Sequence, residues 1–218
     1  MNAPPLEPHF ALRKLHSLLG LLPIGAFVAF HLFENSLAVK GKGYFTEHVI
    51  HKIGNMPYVE LMEVFVIALP ILFHGLYGLW IWWTGRSNVS SYGGGFDDGQ
   101  PIAVPASWND QFNALRDYLG IAWYQTRFQV LIGALSKDEL YDKMVALFSN
   151  PLMQAWYAVG LAACVFHLAN GIWLFLVSWG ITIGPRSQRI STLVTTGIGL
   201  VVLLLGVRAL FGFDPTTI

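Results

Sequence analysis

The chain has 218 residues, of which 54% are hydrophobic and 12% are charged, and its formal net charge is zero. Because a soluble domain carries about 25% charged residues, this composition predicts a membrane protein. The zero net charge gives no indication of nucleic-acid binding. The single cysteine, Cys164, excludes an internal disulfide and a cysteine-rich zinc site. The chain shows no repeat of fixed period, so we expect residues 1–218 to form one membrane-embedded domain.

The first apolar segment predicts a membrane span over residues 16–38, after an exposed tail at residues 1–12. His31 lies in the second half of this span, and Glu34 lies near its end. Residues 40–58 contain three lysines and two histidines. Charged residues at this density predict a loop outside the membrane.

Two further apolar segments each carry a histidine near the middle. The segment 61–84 contains twenty consecutive residues without a formal charge around His74, which is long enough to cross a bilayer as a helix. Residues 152–179 form a similar span around His167. An imidazole in the hydrocarbon region is costly unless it binds something. The two histidines therefore predict a metal centre held between helices.

The number of spans depends on residues 112–135, which hold three charged side chains. A last span covers residues 190–212, and arginines flank several spans on short connections. Cytoplasmic loops carry an excess of Lys and Arg, so placing all these flanks on one side requires a crossing at residues 112–135. The alternative is an amphipathic surface helix there, which leaves four spans. We expect an all-α bundle of about five transmembrane helices with an atypical third helix.

The depths of the two central histidines match. His74 precedes Arg86 by twelve residues and His167 precedes Trp179 by twelve residues, and a helix rises about 1.5 Å per residue. Two imidazoles that face each other across a bundle are a common axial pair for haem iron. The alternative is that each histidine is simply buried and hydrogen-bonded to a neighbouring helix.

Small residues accompany both histidines. Gly78 follows His74 by four residues, and Gly171 follows His167 by four residues. Residues four apart lie on one face of a helix, so these glycines leave room for a flat macrocycle. The alternative is that they allow close packing of helices.

The two histidines of the first span, His16 and His31, are expected away from the level of His74 and His167. His31 is too far along the span to share a plane with His74. His16 begins the span at the cytoplasmic surface. Together with Arg13, Lys14 and Ser17 it could bind haem propionates or a soluble partner, or form an ordinary interfacial basic cluster.

Several stretches resemble a known family. These are RKLHSLLGLLPIGAFVAFHLFEN, EVFVIALPILFHGLYG and FHLANGIWLFLVSWGITIGPRSQRIS. They are similar to the b558-type cytochrome b membrane-anchor subunit of succinate dehydrogenase and fumarate reductase. The resemblance is to the single-subunit, five-helix, di-haem type found in Bacillus, and it covers residues 12–92 and 145–212.

The resemblance implies a multi-pass subunit of the cytoplasmic membrane with a cytoplasmic N-terminus. A flavoprotein and an iron–sulfur subunit would dock on it, and haem b would pass electrons from succinate, in the tricarboxylic acid cycle, to menaquinone or another quinone. The chain itself would hold no dicarboxylate site. Some relatives run in reverse as fumarate reductases.

The resemblance also implies ligands. His74 and His167 match the ligands of the haem nearer the cytoplasm, and His31 matches one ligand of the outer haem. The partner of His31 in the family falls at Ala122 here, and residues 93–121 do not look like the family. Either the chain has lost the outer haem, or this stretch is an unusual substitution. We therefore expect one haem, with the second in doubt.

Polar groups near the outer end of the first two spans are candidates for the quinone site. They are Glu34, Glu47 and His48, although a charged loop would look the same. A haem-poor structural anchor of the same complex is the alternative function. A small transporter is disfavoured because the spans lack paired carboxylates and an internal repeat.

Overall fold

The computed structural model describes residues 8–84 and 136–213. Within these ranges the chain forms helices and no strand. Four helices are long and apolar enough to cross a membrane: α1 (His9–Lys40), α3 (Val59–Trp83), α5 (Pro151–Ser178) and α6 (Pro185–Leu210). The prediction of an all-α membrane bundle is confirmed. The third span predicted over residues 112–135 lies outside the described residues.

The first helix begins earlier than its apolar run suggested. Helical structure starts at Pro8, so the residues 8–12 predicted as part of a tail belong to the first helix, although residues 9–12 are exposed as expected. Proline is favoured in the first turn of a helix because its missing N–H has no partner there anyway. Gly20–Gly25 is a π-helical turn that includes Pro23, which removes one backbone hydrogen bond from the helix. The early start places His16 two turns inside the helix.

The connection predicted over residues 40–58 lies between the first two spans as expected, but it is not irregular, because residues 42–54 are helical and form α2. Its buried residues Phe45 and Val49 are four apart and so lie on one face, at 5% and 4% exposure. Glu47, His48 and Lys52, which suggested a loop, are exposed. This short helix lies across the end of the bundle.

The same end of the bundle holds the main buried core. Residues of α2 pack there against a helix that the sequence had not indicated, α4 (Leu140–Phe148), whose first turn is preceded by a capping box between Ser136 and Glu139. The core cluster comprises Ala38, Phe45, Val49, Tyr141, Val145, Phe148, Leu210 and Phe213. The Arg208 Nε donates to the carbonyl of Ser36 at 3.2 Å. This bond joins the last span to the first.

Ionic contacts join α2 to α4 outside the apolar core. Lys42 pairs with Asp142 at 2.6 Å, and His51 Nε2 lies 2.7 Å from Asp138 Oδ1. The other ring nitrogen of His51 lies 3.3 Å from Glu47. Hydrogen bonds to the Asp138 and then the Glu47 carboxylate raise the pKa of His51 above its ordinary value of 6.5.

The two last spans pack closely along small residues. Gly199 and Gly206 of α6 are buried against α5. A Cβ on Gly199 would lie 3.0 Å from the Cβ of Ala169, and one on Gly206 would collide with the side chain of Leu161. Close approach of backbones through small residues is the usual way in which membrane helices associate. The helix that carries His167, α5, is therefore packed tightly against α6.

Replacement of Gly206 should weaken the packing of α6 against α5. We expect Gly206→Leu to destabilise the detergent-solubilised protein by about 1–3 kcal/mol, because the added side chain overlaps Leu161. Gly197→Leu is the matched control, since no described atom lies within 4 Å of a Cβ there. Thermal unfolding followed by circular dichroism measures both, and equal midpoints would contradict the packing.

The His51 contacts should make the attachment of α2 to α4 depend on pH. Because the pKa of His51 is raised in the folded protein, its contribution is complete below the ordinary pKa of about 6.5. It is lost as the pH rises through the raised value. Hydrogen exchange of α4 amides should therefore be faster in His51→Gln than in wild type at about pH 5.5, and this difference should shrink by about pH 8.5.

His48→Gln provides the control for that comparison, because the His48 ring stacks on Tyr44 at 4.2 Å and no carboxylate contact is found for it among the described residues. A difference between His51→Gln and wild type that stays constant across the pH range would refute the assignment.

Candidate functional site

Three imidazoles from three spans meet at one level of the bundle. The rings of His74 (α3) and His167 (α5) have centroids 6.0 Å apart, with planes at 81°. The ring of His16 (α1) is stacked on His74 at 4.0 Å and 4°. The structure thus brings together the two histidines that the sequence paired, and it adds a third beside them.

A backbone hydrogen bond orients the ring of His74. Its Nδ1 lies 3.1 Å from the carbonyl oxygen of His16. A carbonyl only accepts, so Nδ1 carries the proton and donates. The neutral ring then keeps its lone pair on Nε2, the nitrogen available to a metal. Metal-binding histidines almost always donate the N–H of their other ring nitrogen to a hydrogen-bond acceptor in this way.

The glycines around the site differ in how much space is left beside their Cα atoms. A Cβ on Gly20 would lie 2.5 Å from Cε1 of His74, so the ring occupies the space that any larger residue would need. A Cβ on Gly78 would lie 3.2 Å from Nε2 of His16. Gly78 therefore makes room for an imidazole, whereas we had expected a macrocycle there. No described atom lies within 4 Å of a Cβ on Gly171.

The polar residues near His16 do not form one cluster. Arg13 is exposed and Ser17 is partly buried. Lys14 donates to the carbonyl of Ser178 and lies over the Trp179 ring at 4.8 Å. Lys14 therefore joins the start of α1 to the end of α5, while His16 lies beside His74 and not at the helix end.

The spacing of His74 and His167 fits a shared iron. An imidazole nitrogen lies about 2.0–2.1 Å from a first-row metal such as zinc. The ring centre is about 1.1 Å further, so two trans imidazoles on one metal have centroids roughly 6 Å apart. The observed 6.0 Å agrees. The Nδ1 contact of His74 is consistent with the same assignment, so His74 and His167 could hold a haem iron between them.

His31 lies elsewhere, as its position in the sequence suggested. The His31 ring is stacked on Phe27 at 5.2 Å, and the side-chain amide of Asn35 donates to the backbone carbonyl of His31 at 2.7 Å. His31 lines a cavity of about 590 Å³ between α1, α2, α3 and α4. Ala122, the position that the family resemblance pairs with it, is not among the described residues.

Of the three predicted quinone-site residues, only Glu34 lines this cavity. It is 8% exposed. Glu47 is bonded to His51 on the surface, and His48 stacks on Tyr44. Glu63 also lines the cavity. The sequence could not show which of these residues line the cavity, because spacing along the chain does not show which face of α2 packs against the bundle.

Comparison with known proteins places the chain in a family. The family described as "Succinate dehydrogenase/Fumarate reductase transmembrane subunit" matches residues 119–206. The succinate dehydrogenase cytochrome b558 subunit of Bacillus subtilis (strain 168) is 34% identical over 209 residues, which cover 94% of this chain and 96% of that protein. No solved structure gives a significant match. The chain therefore belongs to the succinate dehydrogenase/fumarate reductase transmembrane subunits, as a membrane cytochrome b subunit.

Proposed function

We propose that this chain is the haem-b anchor of a succinate:quinone oxidoreductase and passes electrons from an iron–sulfur subunit to a membrane quinone. The observation that carries the proposal is the facing pair His74 and His167, at 6.0 Å. The similarity to a cytochrome b558 subunit supports it independently.

The bound haem would supply one-electron redox chemistry, and the chain supplies its ligands and surroundings. His74 and His167 would hold the haem iron between them. Two protein ligands on the iron would favour electron transfer over oxygen binding. The hydrogen bond from His74 Nδ1 to the His16 carbonyl would leave the lone pair of Nε2 to bind the iron.

The proposed orientation places the N-terminus and the histidine site toward the cytoplasm. Lys14 of α1 touches the end of α5, and α6 begins with Arg186 and Arg189, so basic residues of α1 and α6 lie at one end. The positive-inside rule assigns this end to the cytoplasm. A flavoprotein and an iron–sulfur subunit would bind there, within reach of the haem.

One haem per chain is proposed. His31 has the depth of an outer ligand, but the corresponding partner position is Ala122, and an alanine cannot bind iron. The cavity beside His31 is therefore proposed to serve the quinone, which would be menaquinone or a related compound.

Quinone reduction consumes two protons with two electrons, and the cavity has carboxyl groups to supply them. Glu34 and Glu63 line it among mostly apolar side chains. An apolar lining with a few polar groups is typical of small-molecule sites. The exposed surface of α2 lies next to this cavity, so protons could be replaced from the outer aqueous side.

Loss of either proposed ligand should remove the haem. We expect His74→Ala and His167→Ala each to abolish the α-band of the reduced-minus-oxidised spectrum, because each variant would lack one of the two protein ligands of the iron. His48→Ala should keep the full band, since the His48 ring lies on α2, where it stacks on Tyr44 and bonds the Tyr44 carbonyl. Full haem content in either site variant would contradict the proposal.

The cavity carboxyl group should affect only the quinone step. We expect Glu34→Gln to lower succinate:quinone reductase activity by about a hundredfold, while succinate oxidation by a soluble dye stays unchanged. Glu60→Gln is the control, because Glu60 is exposed and does not line the cavity. Equal quinone reduction by the two variants would argue against a quinone in this cavity.

A further inference from the structure

The first span touches His74 in three ways, although the ligand assignment alone requires none of them. We propose that residues 16–20 of α1 are a positioning element that sets the plane and tautomer of the His74 ring, with His16 as its positioning residue. This inference rests on the proposed haem function and extends it to a helix that contributes no ligand to that iron.

The first contact is the hydrogen bond from Nδ1 of His74 to the backbone carbonyl of His16, at 3.1 Å. A carbonyl oxygen within a helix has a second lone pair and can accept this bond beside its helical one. Since the acceptor belongs to the backbone, it cannot rotate away as a side chain could. The bond therefore fixes one edge of the His74 ring relative to α1.

The second contact is the close approach at Gly20. A Cβ there would lie 2.5 Å from Cε1 and 2.8 Å from Nδ1 of His74. Cε1 lies between the two ring nitrogens. A methyl group at this point would therefore displace the ring and change the direction in which Nε2 points. The ring is rigid, and it already has the His16 ring stacked on its face. It could give way only by leaving its present plane.

The third contact is the stacked His16 ring. It lies 4.0 Å from His74, parallel within 4°, and its Nε2 is close to the position of a Cβ on Gly78. The His16 ring thus fills the space between His74 and the next turn of α3. A flat group in this space opposes rotation of His74 about its χ2 angle.

The same geometry argues that His16 is not an axial partner of His74. Trans imidazoles on one metal have centroids roughly 6 Å apart, and a parallel stack at 4.0 Å leaves no room for an iron between the rings. The ring of His167 has the required separation. His16 therefore acts on the site through His74.

The measurable consequence is the angle between the two ligand planes, 81° in this structure. Nearly perpendicular imidazole planes give a strongly anisotropic low-spin ferric EPR signal, and the anisotropy decreases as the planes become parallel. This signal and the haem midpoint potential report ring orientation. A residue that only stabilised the helix bundle would change neither of them.

Gly20→Ala in the purified complex is the first test, with Gly75→Ala as its control. Gly75 adjoins His74 in the sequence, but no described atom lies within 4 Å of a Cβ there. We expect Gly20→Ala to retain haem about 10–100-fold more weakly and to show a less anisotropic EPR signal in the haem that remains. Gly75→Ala should match wild type. Identical spectra, potentials and haem content in all three proteins would overturn the proposal.

His16 variants keep the proposal testable if Gly20→Ala does not accumulate. We expect His16→Ala to keep the α-band but to shift both the EPR anisotropy and the midpoint potential, because the His74 ring gains freedom. His16→Phe, which restores a flat ring, should return both values toward wild type. Complete loss of haem in His16→Ala, with haem retained in His74→Ala, would make His16 the ligand and overturn the proposal.

The outcomes also separate this inference from the proposed function. Absence of haem from the wild-type complex would refute the proposed function itself. Haem in wild type, with unchanged EPR signals in His16→Ala and Gly20→Ala, would refute only the positioning role.

Discussion

The structure depends on two imidazoles meeting inside a membrane-spanning bundle. A histidine in hydrocarbon is unfavourable unless it is hydrogen-bonded or bound to a metal, and the ring centroids of His74 and His167 lie 6.0 Å apart, a separation that would suit a shared iron. The glycines of α6 bring it close against α5, the helix that carries His167. The carbonyl of His16 directs His74. Each of these features has a clear physical role if the rings hold a metal between them.

The two ends of the bundle are built differently. At the end with the charged helix α2, aromatic and aliphatic side chains form a well-buried core that includes Tyr141 and Phe213. At the histidine level, glycines and imidazoles replace that core. An interior of this kind gains little from apolar packing.

Much of this architecture could be predicted from the sequence, because depth in a membrane follows from counting residues along a helix. That count paired His74 with His167 and separated His31 from both. It gave no information on rotation about the helix axis, so it could not show that Gly78 lies next to the His16 ring. The carbonyl that accepts from His74 could not be inferred either, since every residue has one.

The errors at the ends of the first span have a similar cause. Hydropathy detected the apolar centre of α1 but not its polar first turns, which helical hydrogen bonding extends to Pro8. In residues 42–54 the lysines and histidines concealed the spacing of Phe45 and Val49, two residues that bury this helix against the bundle. Short amphipathic helices are stabilised by such packing and not by composition. Only the tertiary contacts could identify them.

The account is tested most directly by near-infrared magnetic circular dichroism of the oxidised, purified complex, combined with a haem count per chain. The position of the charge-transfer band identifies the axial ligands of low-spin iron independently of any substitution. We expect one haem per chain with two imidazole ligands. A protein with no haem, with a high-spin haem, or with two haems per chain would contradict this account.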